Sequence, residues 1–549
     1  MSQKNLSESK GQNFLHGAAI YTVGIVVIKI LGAVYKIPLG NILGDDGFNH
    51  FDVTYKIYNV FLTIATAGAP VALSRMISES NALGREQQTK RVFRVGLSLF
   101  LALGLFGTLV MLLFPTAMAA RVGDIQATRC IQVMAPSVVI VCVVSAYRGY
   151  AQGFGDMIPT TMSQVVETAA KVAVGLVAAG ILHRMGKSVE ICAAGAILGT
   201  TMGSLAAVLY MEIKIHSKYN VNVPATPDSD IPDPAKKIFF DLLKIGVPIT
   251  ISGSIMSFVQ LADSMITLNQ LQNAAGYTAS AAYVLNGAYA KAMTIYNVPQ
   301  AFVIPFMASV VPAISAARVR GNRAEVVNVA ESGMRMCTLL CLPMAVGMAV
   351  LARPCMDVLY PGSAEQGGVL LMELGIVCYF MTMSMITNAI LPANGNERLP
   401  LLASSLGLVT KVIATYIFVG DPRLNIYGAP MGTMCCYLVM LTTNLISMAR
   451  HMERPMNLWR ICGRAGVSTA AMAVAAWSVW SLLHRVMEGA NVVLLGRHLN
   501  MGLLLPFLAA VAVGVVVYAV MIVALRAITL EDMKLFPKGE KIAKLLHIR

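Results

Sequence analysis

The sequence predicts an all-α polytopic membrane protein with about 14 transmembrane helices. Two six-helix lobes related by a parallel repeat are expected, with two extra C-terminal helices. Three observations lead there. Of 549 residues, 56% are hydrophobic and 13% charged, with a mean hydropathy of +0.67, whereas a soluble domain carries roughly 25% charged residues. Apolar stretches of about 20 residues recur along the whole chain. Short motifs from the first half return, in order, in the second.

The expected spans lie near 14–38, 53–77, 92–114, 130–150, 159–182, 190–212, 243–266, 283–312, 334–353, 369–391, 400–419, 427–449, 463–484 and 502–526. Residues Met1–Gln12 are polar, and the apolar run after them is too long for a cleavable signal. The net charge of +14 is placed asymmetrically. With both termini cytoplasmic, about 25 Lys and Arg fall on the inside and about 8 outside, as the positive-inside rule requires. That distribution points to a multi-pass membrane protein and away from nucleic acid. The ten cysteines form no C-x-x-C pair or metal-spaced Cys/His cluster and read as small packing residues.

The repeat has a lag of 238 to 241 residues. Ile57-Tyr58-Asn59-Val60 returns as Ile295-Tyr296-Asn297-Val298, Pro115 and Gly123 as Pro354 and Gly362, Asp156 and Pro159 as Glu397 and Pro400. Six spans separate the copies, so both have the same orientation, a transporter plan with the substrate site between halves. The expected division is 1–232 for the first lobe and its linker, 233–450 for the second, and 451–549 for the last two spans and tail. At a lag of 238, Lys29, Lys56 and Arg75 face Thr267, Thr294 and Ala313, so the cationic character belongs mainly to the first lobe.

Lys29 and Lys36 are seven apart in the first span, nearly on one helix side, with Thr22 extending the row. A charge at mid-bilayer costs about 2.5–3.5 kcal/mol, so the stripe points to a wet, cation-lined cavity that receives an anion. Lys56, Asn59, Thr63, Thr66 and Pro70 continue such a face in the second span, although Lys36 and Lys56 are near enough to span ends to snorkel. Arg75 is either a positive-inside anchor or a bidentate clamp for phosphate. Lys291 sits in the eighth span among Asn286, Thr294 and Asn297, an expensive place without a cavity.

Asp263, with Gln260, is an ion-coupling or gating candidate: its carboxylate can take a proton or Na+, or pair with a lysine of the other lobe. Glu167 and Lys171 are i,i+4 partners in the favourable order, an expected structural ion pair. Lys411 has no evident partner in sequence. The tail Lys534–Arg549 alternates Ile542, Leu545 and Leu546 with Lys541 and Lys544, which fits a short helix on anionic lipid or a solvated tail. No Walker loop, dinucleotide turn, H-E-x-x-H or nucleophile elbow is present, so enzyme chemistry is not expected.

Tyr147-Arg148-Gly149-Tyr150-Ala151-Gln152-Gly153, then Met157-Ile158-Pro159-Thr160 and Ser163-Gln164-Val165-Val166-Glu167, resembles the fourth-to-fifth span connection of the SpoVB/YtgP-like branch of MurJ-type lipid II flippases. These belong to the multidrug/oligosaccharidyl-lipid/polysaccharide exporter superfamily. Gly40–Gly47, Ala72–Glu79 and Val310–Ser315 are similar to the same branch. The resemblance implies a V-shaped pair of lobes around a cationic cavity, alternating access, and a groove for a polyprenyl tail at the last two helices. It implies Lys29, Lys36, Arg75 and Lys291 as diphosphate-facing cations, while the polar faces of the spans themselves make Thr22, Lys56, Asn59, Thr63 and Asn297 the cavity-lining candidates.

Residues and resemblance together lead to one expectation: translocation of a polyprenyl-diphosphate-linked precursor such as lipid II to the outer leaflet. No cofactor is expected beyond a coupling ion (Na+ or H+) or the membrane potential. The expected partners are the lipid-linked oligosaccharide, membrane lipids and cell-wall synthesis proteins. Rival readings are a flippase for another lipid-linked oligosaccharide (capsule, teichoic or spore-cortex), a multidrug antiporter, and a non-transporting scaffold.

Overall fold

The computed structural model describes residues 3–218, 231–396, 398–454, 456–487, 491–494 and 497–528. Glu397, most of the Pro-rich linker and the basic tail lie outside them, as does the side chain of Thr22. Among the described residues the chain is helical apart from short 3-10 turns and a small hairpin, Asn491–Leu494 with Arg497–Asn500. Twelve stretches among the described residues are long and apolar enough to cross a membrane, thirteen with the bent pair Ala235–Ile251 and Gly253–Asn273. The difference from the expected count lies at the start of the chain. There, two of the expected spans share one stretch, Val27–Ala82, of 56 residues. The chain is thus a multi-pass membrane protein.

Contacts divide the chain into two compact units. The first comprises Met1–Gln272 and Thr278–Gly287. It holds α1 (Gln3–Thr66), α2 (Ala69–Ala82), α3 (Glu86–Leu113), α4 (Pro115–Val122), α5 (Thr128–Gly153), α6 (Ile158–Arg184), α7 (Val189–Lys218), α8 (Ala235–Asn273) and the start of α9 (Ala279–Tyr296). In α1 the helix is broken only at Gly44, with φ 69° and ψ −169°. Pro115 opens α4, where its missing N–H costs nothing, and Gly123 closes it in the left-handed region at φ 90°. The core gathers Leu73, Ile77, Phe100, Tyr150, Met211, Ile238 and Leu242. Thus α8, where the sequence division begins its second lobe, packs within this unit.

The second unit comprises Asn273–Tyr277 and Ala288–Arg549. It holds the rest of α9, then α10 (Gln300–Val319), α11 (Arg323–Val350), α12 (Ala352–Leu359), α13 (Ala364–Ala393), α14 (Arg398–Gly420), α15 (Gly428–His451), α16 (Leu458–Val486) and α17 (Met501–Ala524). The sequence repeat is repeated in the elements. Helices of 28 and 8 residues, α3 and α4, precede a 3-10 turn at Ile125–Ala127; α11 and α12, also 28 and 8 residues, precede one at Pro361–Ser363. The pairings recur too: α6 lies along α7 and α14 along α15, α5 on α7 and α13 on α15. The added pair α16 and α17 form a hairpin of their own, attached through α16 to α11.

One packing contact positions the site described next. Gly195, Gly199 and Gly203 recur every four residues on α7, a small-residue row that lets membrane helices approach closely. A Cβ on Gly199 would lie 2.6 Å from the Lys171 carbonyl oxygen, and one on Gly203 would lie 3.0 Å from the Lys171 Cβ. The stretch of α6 carrying Glu167 and Lys171 is therefore pressed directly on the α7 backbone.

Candidate functional site

The first unit gathers ammonium groups. Around Lys36, half-buried on α1, the charged neighbours are Asp52, Lys171, Lys56 and Lys29. Lys29 itself is exposed. Asp52 is the carboxylate of the group and is engaged: Lys56 Nζ lies 2.8 Å from its Oδ2, one turn along α1, with the two side chains 20% and 13% exposed. Lys56 also donates to Ser264 Oγ on α8 at 3.3 Å. Thr63, two turns on, donates to the Asn59 carbonyl at 2.7 Å and shares a 2.6 Å hydrogen bond with Ser257. The polar row expected along the second span therefore meets polar residues of α8, and does so within one unit.

The expected Glu167–Lys171 ion pair is corrected. Arg148 Nη2 takes the Glu167 Oε2 at 2.7 Å, with Arg148 Nε donating to Ser163 at 2.8 Å and Ser204 donating to Glu167 Oε1 at 3.1 Å. The reason is geometric. A guanidinium from α5 reaches the carboxylate directly, and α7 completes it with a hydroxyl. Lys171 turns instead to two aromatic faces, its Nζ 4.5 Å from the Tyr55 ring centre and 5.4 Å from that of Tyr35.

The remaining candidates are spread out. Arg75 sits on α2, bonded through Nε to Glu79 at 2.9 Å, with the two side chains 65% and 60% exposed. Asp263 is buried beside Ser264 and Thr267, and Gln260 is exposed. Asn297 is exposed and donates to the Met293 carbonyl at 2.8 Å. Among the described residues no group of three or more His, Cys, Asp or Glu could hold a metal ion.

Lys291 belongs to the second unit, where it is 2% exposed. It donates to Ser363 Oγ at 2.9 Å and lies 5.4 Å from the centre of the Tyr360 ring. Burial holds the Tyr360 phenol above its ordinary range, so the ring stays neutral beside the ammonium. The 3-10 turn that supplies Ser363 is the second copy of the turn after α4.

Asp52, Tyr35 and Tyr55 were not among the expected site residues. Asp52 and Lys56 stand in i,i+4 order, and the glycine row of α7 has small-x-x-x-small spacing; both signals are legible in the sequence. No pattern in the sequence shows that Tyr35 and Tyr55 meet Lys171.

A family model described as polysaccharide biosynthesis protein matches residues 14–318. The uncharacterized membrane protein YabM of Bacillus subtilis (strain 168) is 25% identical, over 97% of this chain and 96% of its own. Lipid II flippase MurJ of the same organism is 23% identical, over 80% of this chain and 82% of its own. A solved structure of lipid II flippase MurJ in an inward closed conformation superposes with a TM-score of 0.64 at 14% identity, covering 92% of this chain and 98% of that one. An inward-facing multidrug resistance MATE family transporter of the MOP superfamily gives 0.64 at 17% identity, over 78% of this chain and 98% of that one. At such identities the two structures establish a shared fold.

Proposed function

The chain belongs to the polysaccharide biosynthesis protein family, and on that footing we propose that it is a flippase for a polyprenyl-diphosphate-linked cell-wall precursor, lipid II. The precursor moves from the cytoplasmic to the outer leaflet of the bacterial cell membrane by alternating access, and both termini are cytoplasmic. One observation carries the reading: Lys29, Lys36, Lys56 and Lys171 gather in one unit of a membrane protein, with Asp52 already bonded to Lys56. Such an excess of positive charge within an apolar protein is costly and is relieved by a bound anion.

The chemistry orders the steps. The lysines hold the phosphates of the head group, the glycan fills the wet space beside them, and the polyprenyl chain stays in lipid along α16 and α17. Lysine ammonium groups are point charges with rotatable donors, so they follow a phosphate through a conformational change without a fixed fork geometry. An inside-negative potential favours outward movement of the anion, by about 2.3 kcal/mol per charge per 100 mV. Asp263 is the proposed acceptor for a coupling proton or Na+.

The MATE likeness raises a second class, export of cationic drugs, which calls for an acidic site. The lysine group has the opposite sign. In proteoliposomes holding a fluorescent lipid II analogue, the wild-type chain is expected to expose it at the outer face. Lys29→Ala and Lys36→Gln, inserted at equal level, are expected to abolish this. Undiminished transport by both variants contradicts the proposed site.

A further inference from the structure

We infer that Lys171 is a phosphate-binding residue, and that its contact selects a diphosphate head group over a monophosphate one. This rests on the flippase reading and deepens it. Sequence spacing assigns Lys171 to a structural pair, but its presumed partner is held by Arg148 and Ser204. Among the described residues no carboxylate lies within ion-pair distance of its ammonium, which faces only the rings of Tyr35 and Tyr55. A cation over an aromatic face gains on the order of 0.5–2 kcal/mol, which orients the charge without neutralising it.

Both rings are fixed. The Tyr35 hydroxyl donates to the Ala196 carbonyl at 3.0 Å, and the Tyr55 hydroxyl shares a 2.6 Å hydrogen bond with Thr200, both on α7. Phe51 lies between them, its ring centre 4.9 Å from that of Tyr55 and 6.0 Å from that of Tyr35. Gly175, one turn beyond Lys171, makes room for this: a Cβ there would come within 2.6 Å of the Tyr35 hydroxyl oxygen. The Lys171 ammonium is thus aimed from α6 by a rigid aromatic cradle, within electrostatic reach of Lys36 on α1.

The charge count points to the ligand class. Four ammonium groups and one carboxylate (Lys29, Lys36, Lys56 and Lys171 with Asp52) leave an excess of three positive charges. A diphosphate bridging a prenyl chain and a sugar carries two negative charges, and a monophosphate in the same place carries one. With Lys56 held by Asp52, the α1 lysines serve one phosphate, and Lys171, on a different helix, is placed for the other.

The test uses the full chain, purified, with farnesyl diphosphate and farnesyl monophosphate as probes; their terminal phosphate adds about one negative charge to each near neutral pH and so keeps the one-charge difference between them. The wild-type chain is expected to bind the diphosphate more tightly. Lys171→Gln is expected to weaken diphosphate binding roughly 10- to 100-fold, the range for losing one charge-assisted contact, and to leave monophosphate binding within a few-fold. Lys171→Arg restores the preference. Equal diphosphate affinity in wild type and Lys171→Gln overturns the assignment while leaving the flippase reading standing. A wild-type chain that binds neither probe sinks both. An equal loss for the two probes, with a lowered melting temperature, shows a structural role and also overturns it.

Discussion

Arg148 and Glu167 join α5 to α6 through a 2.7 Å ion pair whose two side chains are 11% and 22% exposed. The pair does two things at once: it satisfies a charge within the helical bundle, and it removes the carboxylate that would otherwise neutralise Lys171.

Removing one partner of such a pair leaves the other buried and unpaired. Arg148→Ala is expected to cost about 3–5 kcal/mol, seen as a large fall in melting temperature. Glu167→Gln, which keeps a hydrogen-bond acceptor, is expected to cost less. A double-mutant cycle gives the coupling, and a value near zero refutes this account of the pair.

The close approach of α6 to α7 depends on the missing side chain at Gly199. Gly199→Leu would drive a side chain into the Lys171 carbonyl and the Gly175 backbone, 2.6 Å from each at the Cβ alone. Loss of monodisperse protein is expected on size-exclusion chromatography. Gly180→Leu, on α6 with nothing within 4 Å of its Cβ, is expected to be tolerated. Equal behaviour of the two variants contradicts the packing argument.

Asp52 acts as the cluster's own anion, held by Lys56 at 2.8 Å. Asp52→Asn frees that ammonium and removes a negative charge, so affinity for a phosphate-bearing lipid is expected to rise on the order of tenfold, about 1.4 kcal/mol. The gain is expected to shrink in high salt as screening increases. A binding titration at two ionic strengths reads both; weaker binding by the variant refutes the idea.

In the second unit, Ser363 accepts a hydrogen bond from the buried Lys291 ammonium. Ser363→Ala is expected to destabilise the chain by about 1–3 kcal/mol, and Lys291→Met, which also removes the charge, by no more than that. Thermal melting of the two variants side by side decides it.

The sequence makes the broad plan legible because bilayer width fixes helix length and because the two copies kept their punctuation. Pro115 and Gly123 do shape α4 and its end; the second copy keeps an 8-residue helix and the turn after it, but Pro354 lies inside α12 and Tyr360 closes it. The lysines of α1 were legible for the same reason, since a charge in an apolar run has few innocuous explanations. Partner choice was not legible. Spacing within one helix proposes Lys171 for Glu167, but it is blind to Arg148, which arrives from another helix. Nor does spacing register that α1 breaks at a single residue, because a helix continues through Gly44 on both sides.

That break has a geometric consequence. Lys29 and Lys36 lie before Gly44, and Asp52 and Lys56 after it, on two helical halves of α1 that meet at this one residue with no loop between. At φ 69° and ψ −169° the backbone occupies a region open essentially to glycine alone. No neighbouring atom lies within 4 Å of where a Cβ would stand, so only the torsion itself opposes a methyl group. The bearing of one pair of charged side chains on the other is therefore set by the two torsions of a single residue, and Gly44→Ala would redirect the upstream half of α1 like a weathervane on a bent spindle.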